Sequence, residues 1–427
     1  MQFLPGYRKK LNILAWMLLS FCLNSHAHTS TVPLRLSEAE HLAISSAPEL
    51  KQLQANADSL NQKAVSDGQW SDPQLIVGAA NVPTPSYSFT QDDMTMVDFG
   101  LQQSIAPGHS LAMKSKKTKA LANAEQQKIQ SQAAMLLRNV RETWLDLYYW
   151  KQAAIIIHKN QSLYQQLLKS TESQYSSGKA NQSDALQIQV EVSRLKDQSV
   201  QIQQRITILQ AQLARWIGTN AANRPLFNTL PHWPNPPPMK VLQARLLQHP
   251  QLKVDTAYIE AARDGVAYAN ELYKPGWMVG VGYSVRKGRM EDGQSRSNFV
   301  GAQVTVDLPF FTGNRQDREL SASTSQLNAT EFERDIHYKD LLKELATQYA
   351  IWHGLTAREN LYRQHLTLEA RQNSKSAVLA YQNATTDLNT VLRAYSNALT
   401  IHLEQIQIQV ERAKTRVALL YLEGVTQ

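Results

Sequence analysis

The stretch that decides the fold runs from residue 110 to residue 176 and reads SLAMKSKKTKALANAEQQKIQSQAAMLLRNVRETWLDLYYWKQAAIIIHKNQSLYQQLLKSTESQYS. It contains neither proline nor glycine, the residues that interrupt helices, and it is rich in Ala, Leu, Gln and Lys, which favour them. A single helix over this stretch would be roughly 100 Å long, because each residue adds about 1.5 Å. Helices of globular domains average about 12 residues, so the sequence predicts an elongated protein.

Apolar residues in this stretch, in the segment after it and near the C-terminus recur at the spacing of a coiled coil. The first stripe consists of Ile129, Ala133, Leu136, Val140, Trp144 and Leu147. The second consists of Val192, Leu195, Ser199, Ile202, Ile206, Leu209, Leu213 and Trp216. The third consists of Leu399, Leu403, Ile406, Val410, Ala413, Val417 and Leu420. Sustained spacing of three and four residues predicts long helices packed side by side.

The chain also contains an internal repeat. Three prolines recur at an offset of 202 residues, namely Pro48, Pro73 and Pro107 with Pro250, Pro275 and Pro309. Later the offset becomes 206, as in Tyr175 with Tyr381, Leu186 with Leu392, and Gly218 with Gly424. A shift of four residues is expected from an insertion in a loop or a helix. We therefore predict two copies of one unit, residues 28–218 and 239–427.

Residues 219–238 join the two units. They end in Pro234-Asn235-Pro236-Pro237-Pro238, a density of proline that favours an extended connector. Trp233 in this segment either packs on a neighbouring surface or belongs to a plain linker.

Each unit has the same predicted order of a short helix, two strands and two long helices. In the first unit the short helix spans 36–64 and begins with a capping box formed by Ser37 and Glu40. The predicted strands lie within 74–106 and 277–308, and the predicted long helices span 110–176, 184–217, 314–380 and 390–423.

The strands show the alternation of half-buried strands, which a soluble sheet would share. Val97, Phe99 and Leu101 fall on one face, and polar residues or glycine fall between them. The apolar phase of 299–308 is one residue out of step with the corresponding strand of the first unit. A β-bulge would reset it.

The N-terminus has the pattern of a secretory signal peptide over residues 1–27. Three basic residues, Arg8 to Lys10, precede an apolar run, and Ser25-His26-Ala27 supplies a cleavage site. The only cysteine, Cys22, is preceded by the bulky Phe21, which argues against lipoprotein cleavage, so we expect Cys22 to leave with the signal.

The predicted cleavage lowers the formal charge from +8 to +5, and the basic residues are scattered. This pattern excludes a nucleic-acid-binding protein. No run of 18 apolar residues follows the signal, so a chain that crosses a membrane must do so as a closed β-barrel.

The turns between the long helices resemble those of the TolC-like outer-membrane efflux family. The first reads Tyr175-Ser-Ser-Gly178 and then Ser183-Asp184-Ala185-Leu186. The second reads Tyr381-Gln-Asn-Ala384 and then Thr390-Val391-Leu392, so it lacks the glycine and has threonine where the family often has aspartate. The resemblance extends over the whole chain after the signal. Residues 71–75, 81–83 and 94–96 are similar to the heavy-metal branch, which is CzcC- and CusC-like.

The resemblance implies a mixed α and β fold: a trimeric outer-membrane β-barrel with four strands per chain, continued by a long periplasmic α-helical coiled-coil barrel. It implies an outer-membrane channel subunit of a tripartite efflux system in a Gram-negative bacterium, which passively conducts solutes, here heavy-metal cations. The implied partners are a periplasmic adaptor (membrane fusion protein), an inner-membrane RND-type pump and outer-membrane lipid. The alternatives are a channel for type I protein secretion or multidrug efflux, or a periplasmic coiled-coil scaffold without a pore.

The family also implies two kinds of site at the helix turns. The residues expected at the adaptor-docking tips are Tyr175, Gly178, Ser183, Asp184, Leu186, Tyr381, Ala384 and Leu392. For the periplasmic gate we expect Asp387 in a cation-attracting ring and Arg393 in a salt bridge between neighbouring helices. Alternatively, Asp387 only caps its helix, the role also expected of Asp184.

The sequence offers no catalytic constellation, so we expect no enzyme activity, no cofactor and no metal site. The histidines lack the spacing of metal ligands, as is true of His109, His158, His337, His353 and His402.

Overall fold

The computed structural model describes residues 32–178, 181–383 and 385–424. The predicted signal peptide with Cys22 and the docking residue Ala384 lie outside these residues. The helices are α1 (Leu36–Ser46), α2 (Pro48–Asp67), α3 (Ser110–Ser176), α4 (Gln182–Ile217), α5 (Thr219–Ala222), α6 (Met239–Leu246), α7 (Pro250–Glu271), α8 (Gln316–Leu361), α9 (Thr367–Gln382) and α10 (Leu388–Leu422). The strands are β1 (Gln74–Ala80), β2 (Met96–Ile105), β3 (Gly276–Arg286) and β4 (Phe299–Asp307).

The four strands form one antiparallel sheet in the order β1-β2-β3-β4. The pairing of β2 with β3 joins the two halves of the chain through an unbroken ladder that runs from Met96 opposite Arg286 to Ile105 opposite Trp277. Strands β1 and β4 are the two edges of the sheet.

The register places most of the apolar residues of the four strands on one face. This face consists of Leu75, Val77, Ala79, Val97, Phe99, Leu101, Ile105, Trp277, Val279, Val281, Tyr283, Val285, Val300, Ala302, Val304 and Val306. No β-bulge resets the phase of β4, since β3 pairs continuously with β4. Directly paired residues lie on the same face of a sheet. The positions of the apolar residues in β4 therefore match those of its partner β3 rather than the pattern of the corresponding strand in the first half.

The long helices form a single open layer. Near the sheet the order of packing is α2, α3, α7 and α8. Farther away the order is α4, α3, α10 and α9, because α3 is long enough to contribute to both parts. No helix in the described ranges is long and apolar enough to cross a membrane.

The coiled-coil stripes supply the core between these helices. Val140 and Trp144 of α3, Leu213 of α4 and Val410 and Val417 of α10 are buried in one cluster. The predicted spacing therefore corresponds to the packed faces of the helices.

The N-terminal helix differs from the prediction. The span 36–64 contains two helices, because Pro48 forces Ala47 into an extended conformation between them. The predicted capping box is wrong: Arg35 is the N-cap of α1, and no side chain caps the helix. Glu40 instead accepts a 2.6 Å hydrogen bond from Nε of buried Arg141 on α3.

The long helix of the second half is one run of residues 316–382, interrupted only by a π-helical turn over Tyr362–Leu366. Its bounds equal those of α3 shifted by 206 residues. The offset is still 202 at Pro107 and Pro309. The four extra residues therefore lie in the loop between β4 and α8, which is longer than the loop between β2 and α3.

The connector between the two halves is fastened to the helices. Leu34 pairs with Leu226, and Trp233 packs against the core. Nε of Arg416 donates a 2.8 Å hydrogen bond to the carbonyl oxygen of Pro234, and its guanidinium also pairs with buried Glu423 at 2.7 Å. The packed alternative for Trp233 is thus the one that the structure shows.

Candidate functional site

The first helical tip, between α3 and α4, ends in a left-handed glycine. Gly178 has a φ of +74° and donates a 2.9 Å hydrogen bond to the carbonyl oxygen of Tyr175. A side chain disfavours this conformation, which explains the glycine of the turn.

The side chains of the first tip face solvent. Tyr175 and Ser183 are exposed, and Leu186 is 59% exposed. The expected capping role of Asp184 is wrong, because α4 begins at Gln182 after Asn181. Asp184 lies in the first turn, where its charge favours the helix dipole.

The second tip, between α9 and α10, is closed by Asp387. Its carboxylate accepts a 2.9 Å bond from the Thr390 amide and a 2.6 Å bond from the Thr390 hydroxyl. The hydroxyl, followed by the amide, lowers the pKa of Asp387 below its ordinary value. Asp387 is thus an N-cap that keeps its negative charge.

The apolar residues of the second tip are buried, unlike those of the first. Leu392 is only 8% exposed and packs in the main core, with Val391 fully buried beside it. Tyr381 packs against the same core. The Leu392 side chain packs inside the tip, so it is not available for the predicted direct docking contact. Tyr381 exposes only part of its side chain.

Two contacts join the tips. The side-chain amide of Gln187 donates a 2.7 Å hydrogen bond to that of Asn389. Farther along, Tyr164 of α3 and Tyr395 of α10 lie with ring centroids 5.6 Å apart. Burial raises the pKa of Tyr164 to about 12, so this contact stays neutral.

The predicted gate residue Arg393 is exposed and lies one turn and a half after the Asp387 cap. Among the described residues Arg393 forms no ion pair. A salt bridge of Arg393 therefore requires a carboxylate partner outside the described residues of this chain.

Much of the apolar face of the sheet is exposed. Its exposed large side chains range from Val279, 41% exposed, to Val300, 83% exposed. The opposite face is mixed and has Asp98, Gln102 and Gln303 together with glycines and the apolar residues Ile76, Met278 and Phe299. An apolar surface of this extent marks contact with lipid or with protein.

Among residues 32–178, 181–383 and 385–424, no three His, Cys, Asp or Glu side chains form a group that would hold a metal ion. His337 pairs with the carboxylate of Asp255 at 3.0 Å, between α8 and α7.

The fold is that of outer-membrane channel proteins. The outer membrane protein VceC of Vibrio cholerae superimposes with a TM-score of 0.76 and 16% identity, over 91% of this chain and 96% of that one. CusC gives a TM-score of 0.73 and 15% identity, over 91% of both chains. The outer membrane channel CmeC of Campylobacter jejuni gives 0.73 and 12%, over 91% of this chain and 85% of that one. No curated protein matches the sequence.

Residues 241–424 match the family described as outer membrane efflux protein. The second half of the chain therefore matches this family by sequence, and nine-tenths of the chain share the fold of the outer-membrane channel proteins. The family resemblance predicted from the sequence is confirmed for residues 241–424.

Proposed function

We propose that three copies of this chain close a channel that crosses the outer membrane and extends through the periplasm. The channel passively conducts solutes delivered by an inner-membrane RND-type pump. The observation that carries the proposal is that both layers of the chain, the sheet and the helices, are open at both edges.

The sheet requires partners. Four strands are too few for a closed barrel, and the edge strands β1 and β4 cannot remain unpaired in lipid. Three copies supply about twelve strands, enough for a water-filled pore. The exposed apolar face then meets lipid, and the face with Asp98 and Gln102 lines the pore.

The helical layer has complementary free edges. Exposed apolar residues on α4 are Leu186, Val190, Val200 and Ile208. Those on α8 and α9, including the π-helical junction, are Phe332, Ile336, Ile351, Leu361, Leu368 and Leu379. Contacts between two different edges repeat head to tail and close a ring, as threefold symmetry requires.

The tips face the pump in this arrangement. The exposed residues Tyr175, Ser183 and Leu186 of the first tip dock the periplasmic adaptor, and Gly178 sets the shape of the turn. Asp387 of three copies forms a negative ring at the entrance, and Arg393 pairs with a neighbouring copy in the closed state. The support is the exposure of Arg393 and the ionised cap at Asp387.

The proposed solutes are heavy-metal cations. The support is the resemblance of residues 71–75, 81–83 and 94–96 to the heavy-metal branch. Multidrug efflux and type I protein secretion use the same architecture and are the competing functions.

Two experiments test the proposal. Heat-modifiable migration in the outer-membrane fraction is expected, whereas release with the soluble periplasm would contradict a channel. Deletion of the gene should then increase sensitivity to metal salts more than to bile salts or dyes. Equal metal tolerance with raised bile-salt sensitivity would exclude the metal assignment and leave the channel intact.

A further inference from the structure

Within the chain, the two repeats meet where β2 ends and β3 begins. The turn after β2 consists of Pro107-Gly108-His109, and the amide of His109 donates a 2.6 Å hydrogen bond to the carboxylate of Glu271. Gly108 has a φ of +48°, and any side chain there would collide with Glu271 and Lys274. This junction is closed by polar groups around a residue without a side chain.

Among the residues that the structure describes, the equivalent turn after β4 has no such neighbour. At the offset of 202 residues, Phe310 occupies the position of Gly108, and the four-residue insertion follows. Phe310 is 76% exposed and Phe311 is 87% exposed. The Phe310 amide donates a 2.9 Å hydrogen bond to the carbonyl oxygen of Leu308 within this turn.

The start of β1, at the other edge of the sheet, carries the complementary feature. At the same offset, Gln69, Trp70 and Asp72 occupy the positions of Glu271, Leu272 and Lys274. Trp70 is 62% exposed. The residues before β1 correspond to those that contact the turn after β2 within the chain, and they include the exposed indole ring of Trp70.

We propose that Phe310 and Phe311 of one copy pack on Trp70 of the partner subunit and seal each subunit boundary where the sheet meets the helices. The inference rests on the proposed trimer. Pairing of β4 with the partner's β1 brings the end of one strand beside the start of the other, as β2 and β3 do within the chain. The glycine contact inside the chain becomes an aromatic contact between chains.

The occupant is a second copy because each aromatic group lies at a sheet edge. The β2–β3 junction serves as the template: the turn after one strand contacts the residues before the next. Large aromatic rings bury a wide area and prefer stacked or edge-to-face pairs. If the rings of Phe310 and Phe311 contacted only lipid, the presence of an exposed Trp70 at the opposite edge of the sheet would have no explanation.

Disulfide trapping in the full chain tests the contact. The variant W70C/F310C, and separately W70C/F311C, is oxidised in isolated outer membranes and separated without reductant. A disulfide needs Cα atoms closer than about 7 Å, so it reports direct apposition. The matched control is W70C/V300C, since Val300 is as exposed as the phenylalanines but lies near the far end of β4. Single-cysteine variants control for the native Cys22.

Covalent dimers and closed trimers in one of the two phenylalanine variants, and monomers in the control, are the expected result. If an amine-reactive cross-linker traps trimers but neither phenylalanine variant forms disulfides, the aromatic contact is contradicted and the trimer is retained. Equal disulfide yield in the control also overturns it. Monomers with both reagents would contradict the proposed trimer itself. The amine-reactive cross-linker is applied to each variant. Its result shows whether a missing disulfide comes from a lost trimer or from residues that do not touch.

Discussion

The two helical tips descend from the same sequence pattern and differ in their surroundings. Leu186 and Leu392 occupy equivalent positions, yet the first is 59% exposed and the second 8% exposed. Helix α4 has α3 as its main neighbour, whereas α10 lies between α3 and the helices α8 and α9. A repeated motif therefore fixes the turn, and the place of the helix in the layer decides whether its residues are core or contact surface.

The largest expected effect concerns this pair of leucines. Leu392→Ala should lower the local free energy of unfolding of the second tip by about 2–4 kcal/mol, because it leaves a cavity in the core. Leu186→Ala should cost less than about 1 kcal/mol. Hydrogen exchange of residues 388–400 and 182–194 measures both values. Equal losses at the two tips would remove the distinction between them.

The start of the second half should be sensitive to acid, and the start of the first should not. His249 is fully buried as the N-cap of α7, where its Nδ1 accepts from the Gln251 amide, while Ala47 occupies the equivalent position before α2. Burial lowers the pKa of His249 to about 4. The unfolded chain then binds a proton that the folded chain does not, so stability falls as pH drops from about 6.5 towards 4.

The expected loss for α7 is about 2 kcal/mol at pH 5 relative to pH 8. Hydrogen exchange of residues 250–271 at the two pH values measures it, with α2 as the internal reference. His249→Asn keeps an acceptor at the helix start without titrating in this range, and it should abolish the pH dependence. A persistent dependence in this variant would assign the effect to another group.

The charge and the capping function of Asp387 can be separated at the second tip. Asp387→Asn keeps an N-cap acceptor, so helix α10 should keep its hydrogen-exchange protection, whereas Asp387→Ala should lose part of it. Asn181, the N-cap of α4, uses no side-chain bond, so Asn181→Ala should change little. In planar bilayers Asp387→Asn should lower the preference for cations. Unchanged ion selectivity would contradict the proposed negative ring of Asp387 side chains.

The smallest expected effect is that of Arg393, which has no partner among the described residues of its own chain. Arg393→Ala should raise the fraction of open time in planar bilayers, and Arg393→Lys should stay close to wild type. Arg363, an exposed arginine of the π-helical turn, provides the control as Arg363→Ala. Identical closed behaviour in all variants would leave the salt bridge without support.

The helices were predictable because local features define them. Helix α3 has the predicted bounds, since 67 residues without proline or glycine leave no alternative end. The break at Ala47 was missed although Pro48 was visible, because the apolar pattern continues across it. The phase of β4 depends on pairing with β3, and periodicity within one strand carries no information about its partner.

The site was predictable in part. The turn at Gly178 follows from the left-handed conformation that glycine allows. The burial of Leu392 was not predictable from its motif, which is shared with the exposed Leu186, because neighbours distant in sequence decide it. The insertion that follows Phe310 and Phe311 is visible as a change of offset from 202 to 206, but only the helix bounds locate it.

The central claim is that three copies close the open sheet and the open helical layer. Electron cryomicroscopy of the detergent-purified full chain tests it most directly. We predict a threefold particle in which β4 of each copy pairs with β1 of the next, above a tunnel of helices. A monomer with free strand edges, or a ring of another number of copies, would contradict it.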